Sequence, residues 1–154
     1  MHTLGLTTQQ PGIATGISDA LLAGGFGYNK VVNTQTFANT VGAPVLFTIS
    51  GDVIVRIVAV CKVVCASAGA CNASVGIAAS TAHIIALTNI TLLAAMEIWH
   101  DNAPANEIEA LTVIKDRIIT DGNDILLTLS AQADSGQIAF YCFWTPLSVG
   151  ATVA

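Results

Sequence analysis

The sequence predicts an all-β protein: an antiparallel β-sandwich, jelly-roll-like, behind an extended N-terminal arm. Three observations carry this. Short β-rich runs alternate with turn residues at the spacing of a sandwich. The longest run, residues 53–65, is apolar at every odd position, a period of two rather than 3.6. The last run, "QIAFYCFWT" (137–145), places large side chains on both of its faces.

Residues 1–28 read as the arm, either a disordered terminus or a segment that orders against a neighbouring subunit. They are rich in Thr, Gln and Gly, with Pro11 and "GGFG" at 24–27. Only 18–24 has a helical flavour, with Ser18 or Asp19 as its N-cap. Residues 29–154 form the sandwich domain. "APVLFTIS" (43–50) is expected as one strand, followed by a turn at 50–52. In 53–65 the odd positions, Val53 through Cys65, are expected as core. The even positions are half polar, which suits partial cover by a neighbour. "SAGAC" (67–71) is a turn, and 72–80 and 83–90 are strands. Residues 91–104 read as a loop with a short strand near 96–100.

"NEIEALTVIKDRIIT" (106–120) fits a helix at Ile108, Leu111, Ile114 and Ile118. It also fits a strand at Leu111, Val113, Lys115, Arg117 and Ile119. Its β-branched content favours the strand. "TDGND" (120–124) is a turn on Asp-Gly, 125–131 a strand with Ile125, Leu127 and Leu129 inward, and 132–136 another turn. In the final strand Ile138, Phe140, Cys142 and Trp144 share one face. Ala139, Tyr141 and Phe143 share the other. One face is core; the second is aromatic and uncharged, the character of an interface centre. Pro146 ends the strand.

The composition agrees with a protein that is covered by others. Of 154 residues, 53% are hydrophobic and only 10% charged, against about 25% charged in an ordinary soluble domain. The net charge is −5, the pI about 4.8 and the mean hydropathy +0.69. With no basic patch, nucleic-acid binding is not expected. The most apolar run is too short for a spanning helix and holds Arg56 and Lys62, so no membrane association is expected. The N-terminus lacks the basic and apolar regions of a secretion signal.

Cys61, Cys65, Cys71 and Cys142 fit no zinc spacing and read as buried free thiols. No phosphate loop and no G-x-S-x-G elbow occurs. His100 beside Asp101 invites a catalytic reading, but neighbours on a strand point to opposite faces. Glu97, Glu107 and Glu109 read as a solvated rim, and "DGND" (121–124) is only a fragment of a calcium loop. No enzyme, metal or cofactor is expected.

The second half resembles small structural proteins of tailed bacteriophages. The resemblance runs through "GDVIVRIVAV" (51–60), "AAMEIWHD" (94–101), "IEALTV" (108–113), "GNDILLTL" (122–129) and "IAFYCFWTPLS" (138–148). It implies a capsid decoration or cement protein, a β-sandwich that is often a trimer, made in the host bacterial cytoplasm and seated on the capsid surface of the virion. The implied partners are the major capsid protein and further copies of the chain. On this reading Trp99, Tyr141, Phe143, Trp144, Arg56 and Lys62 lie at a subunit interface. Thr3, Leu4, Leu6, Pro11, Ile13, Leu21 and Leu22 lie in a capsid-contacting arm. Two other functions fit less well. One is a phage tail or fibre component, whose tube would use a long hairpin from 53–65 and its successor. The other is a carbohydrate-binding sandwich stacking sugars on Trp99 and Trp144.

Overall fold

The computed structural model describes residues 29–154. The expected arm, with Ser18, Asp19 and the arm contacts named above, lies outside the described residues.

Twelve strands follow in chain order. They are β1 (Asn29–Thr40), β2 (Val45–Phe47), β3 (Ile49–Ser50), β4 (Val53–Ala66), β5 (Asn72–Ile77) and β6 (Ser80–Asn89). Then come β7 (Glu97–Trp99), β8 (Ala105–Asn106), β9 (Arg117–Ile119), β10 (Ile125–Leu129), β11 (Ala133–Pro146) and β12 (Thr152–Val153). Single 3₁₀ turns occupy Ile90–Leu92 and Leu111–Val113.

The pairing makes this a jelly roll. β1 pairs with β11, β2 with β10, β4 with β7, and β5 with β6, all antiparallel. These are the rungs of one long hairpin folded over itself, so that alternate parts fall into two sheets. Contacts of β11 with β4 and of β10 with β5 close the sheets. The first runs β1-β11-β4-β7-β8, with β9 also beside β4; the second runs β2-β10-β5-β6. β3 and β12 form a separate small ribbon.

The core lies between the inner faces. β4 contributes Val53, Val55, Ile57, Ala59 and Cys61, and β11 contributes Ile138, Phe140 and Cys142. Phe47, Val75, Ile85, Ile125 and Leu127 meet them from the second sheet. Trp99 is the largest wholly buried side chain, and its ring meets Phe140 edge-on at 6.3 Å. Such pairs add to the area they bury.

The carboxylates of the "TDGND" turn accept from backbone amides. Asp121 Oδ1 accepts from Gly51 N, Asp124 Oδ1 accepts from Ile49 N, and Asp121 N donates to Asp52 Oδ1. This locks the turns at 50–52 and 120–124 together at one end of the sandwich.

Four expectations are corrected. The odd-position core of β4 breaks at Val63, which is 55% exposed. The β4–β11 register shifts between Ser135 and Ile138, a bulge that turns Val63 outward and brings Cys65 back inward. Gly136 sits there with φ +118, and a Cβ on it would lie 2.6 Å from Cys65 Cα. "APVLFTIS" splits at Thr48, whose N and O both bond to Ala154, so its halves join different sheets. β11 begins at Ala133, inside the expected turn 132–136. Residues 106–120 are neither one strand nor a helix. β7 takes β4 at Ala59 and Val60, and β9 takes it at 53–55; between them only the short β8 finds a ladder, on β7.

Candidate interaction surface

Residues directly opposite in an antiparallel pair share a face. Phe143 pairs with Lys30 on one side and Arg56 on the other; Tyr141 pairs with Val32 and Val58. Val60 lies opposite Ala139 and Ile98. These residues make the outer face of the first sheet. At its middle, Tyr141, Phe143, Val58 and Val60 are half-buried and Val32 is 44% exposed. The described chain lays no second layer on them.

Cations frame this apolar centre. Lys62 Nζ sits 5.8 Å from the centre of the Tyr141 ring, a cation–π contact. Arg56 makes a two-pronged pair with Asp116, Nε to Oδ1 at 2.8 Å and Nη2 to Oδ2 at 3.0 Å. Lys30 is exposed at the start of β1. Three of the five Lys and Arg residues of an acidic chain thus lie on one face. The fork geometry fixes the Arg56 guanidinium on Asp116.

The structure brings Tyr141, Phe143, Arg56 and Lys62 together, as the parity of β11 and β4 implies. It separates the two tryptophans from them. Trp144 pairs with Val55 and Asn29 on the inward side and packs, half-buried, against the core. Trp99 lies opposite Ala59 and is wholly buried by its own chain, so it offers no surface to a subunit or a sugar. Its position depends on the β4–β7 register, which no local pattern in the sequence reveals.

His100 follows the last residue of β7, beside the carboxylates expected as a solvated rim, and is buried. Nε2 lies 3.2 Å from Glu109 Oε2, and Nδ1 lies 3.4 Å from Asp101 Oδ2. A cavity beside it is lined by Ile57, Ile114, His83, Lys115 and Arg117, with no hydroxyl or thiol to act as a nucleophile. Glu97 Oε2 accepts from Ala94 N and braces its loop. The carboxylates of this region therefore fix loop geometry.

All four cysteines are free and buried. Burial pushes Cys65 and Cys142 up to about 12, and pushes Cys61 and Cys71 up as well. Thiols held protonated in this way behave as small apolar side chains.

Among the described residues no helix is long and apolar enough to cross a membrane. No family model matches the chain, and no curated protein does. Among solved structures it is similar to a chain in the acidic stable capsid structure of Helicobacter pylori bacteriophage KHP30. The two are 12% identical with a TM-score of 0.50, and the match covers 81% of this chain and 92% of that one. At that identity the likeness is one of fold, and it spans nearly the whole of both chains: this protein shares its jelly roll with a chain of a phage capsid structure.

Proposed function

We propose that this protein is a structural protein of a phage virion, a decoration or cement protein. It seats on the outer surface of the head and holds neighbouring capsomers together. The observation that carries the reading is the outer face of the first sheet. An aromatic, cation-framed surface that the described residues leave without a second layer suits burial in an assembly. The fold shared with a chain of a phage capsid structure supports the same reading, as does the low charge of the sequence.

The role is mechanical, not catalytic. A homotrimer bound to the major capsid protein adds buried area that must be lost before capsomers separate. A standard interface buries about 1,600 Å², and three linked copies turn modest contacts into tight seating. The tube reading is less well supported, since β4 and its successor β5 lie in different sheets and form no hairpin.

The test uses purified particles of the phage that encodes the chain. The protein should be present in stoichiometric amount on heads, outside the shell, and its removal should lower the temperature at which heads burst. Deleting residues 2–25 should leave the fold intact and abolish head binding. Finding the protein only in tails, or at normal occupancy after the deletion, would sink the reading.

A further inference from the structure

The loop after β8 carries the chemical complement of the outer face. Ile108 is 84% exposed, one of the most exposed large apolar side chains among the described residues. Carboxylates flank it on both sides, Glu107 and Glu109. Glu107 has φ 59, a left-handed conformation that a non-glycine residue adopts at a cost. Glu109 is anchored inward on His100 at 3.2 Å. The loop is thus turned out and braced at its base, presenting an apolar tip beside a free carboxylate. The outer face presents the inverse: an apolar aromatic centre beside Lys62 and Lys30.

We propose that the Glu107–Ile108 tip of one copy docks on the outer face of the next, with Ile108 against Tyr141 and Val58 and Glu107 beside Lys62. This inference rests on the homotrimer of the preceding section and names its contact. The occupant is a second copy because charge selects it. The face needs an apolar group with a negative neighbour, and residues 1–28 hold a single carboxylate, Asp19. Tip and face are different patches of the chain, so the contact is head-to-tail. Such contacts close into a ring where the rotation closes and run on as a filament where it does not; the proposed trimer is the closed case.

The test is solution mass by light scattering across dilution, with thermal melts to check folding. The wild-type chain should weigh three times 15.8 kDa. Ile108→Asp should be monomeric with an unchanged fold. Lys62→Glu and Glu107→Lys should each weaken association by about tenfold or more, through loss of complementarity. The double variant, which restores opposite charges, should recover most of that loss. A wild-type monomer or dimer overturns the inference. So does an Ile108→Asp trimer, or a double variant no tighter than the singles. Absence from particles would instead sink the virion role while leaving the mass data intact.

Discussion

Phe140 and Phe143 stand three residues apart on one strand, and replacing each by alanine should separate the two faces of β11. Phe140 is fully buried, opposite Ala59 and edge-on to Trp99. Its truncation removes the ring, leaves a cavity and strips Trp99 of its partner, at about 3–5 kcal/mol. For a domain of this size, that lowers Tm by roughly 10–15 °C. Phe143 is half-buried on the outer face. Its truncation gives up only the area covered within the chain, about 1 kcal/mol and ~3 °C. Melts should be recorded in the Ile108→Asp background, because association would otherwise add its own stabilisation. Head occupancy should then fall for Phe143→Ala at a temperature where the variant is folded. Equal Tm losses for the two variants would refute the reasoning. They would mean that both faces of the strand are covered within one chain.

Gly76→Ala should be strongly destabilising, by about 2–3 kcal/mol. Its Cβ would overlap the Ser80 carbonyl oxygen and crowd Thr81, both backbone, so β5 and β6 would have to part. Gly69→Ala meets nothing within 4 Å and should change stability by less than about 0.5 kcal/mol, with both variants compared by denaturant titration. The thiols should also set an alkaline limit. Cys65 and Cys142 titrate near 12 when folded, against an ordinary 9.0. The native state therefore holds protons that the unfolded chain releases. Stability from this source is complete below pH 9 and falls as pH rises toward 12. Cys142→Ala should flatten that fall in melts between pH 9 and 11, and the native thiols should resist alkylation at pH 8 until denaturant is added.

The legible parts of the fold are those where one face is dry. β4 and β10 showed their period of two because every second residue enters the core. The parity of β11 likewise sorted Tyr141 and Phe143 onto the outer face. β1 is hard to read because Asn33 and Gln35 occupy inward positions opposite Phe140 and Ile138. Asn33 is satisfied there only because its Nδ2 reaches the Leu46 carbonyl at 2.9 Å, a partner in the other sheet. Trp99 and His100 were misplaced for a related reason. Their burial follows from where β7 stops against β4, a fact of register between distant segments. Within residues 106–120, which carry strand-forming side chains, only Asn106 and Arg117–Ile119 find an edge to pair with, and propensity cannot report the absence of a partner.

The strand order also governs how the chain can be made. β1 has β11 as its neighbour in the sheet, pairing Asn29 with Trp144, and β11 is also what joins β1 to β4. At ~5–20 residues per second, a ribosome needs on the order of 5–20 s between finishing β1 and finishing β11. For that interval β1 and β4 have no common partner, and the first sheet cannot assemble on the nascent chain. The sheet closes late, through contacts of long sequence separation and correspondingly slow closure. A chain with few charges spends those seconds with Val31, Phe37 and the apolar run of β4 unprotected. Its yield therefore depends on how quickly β11 arrives, and truncation before Ala133 would remove the strand that joins β1 to β4.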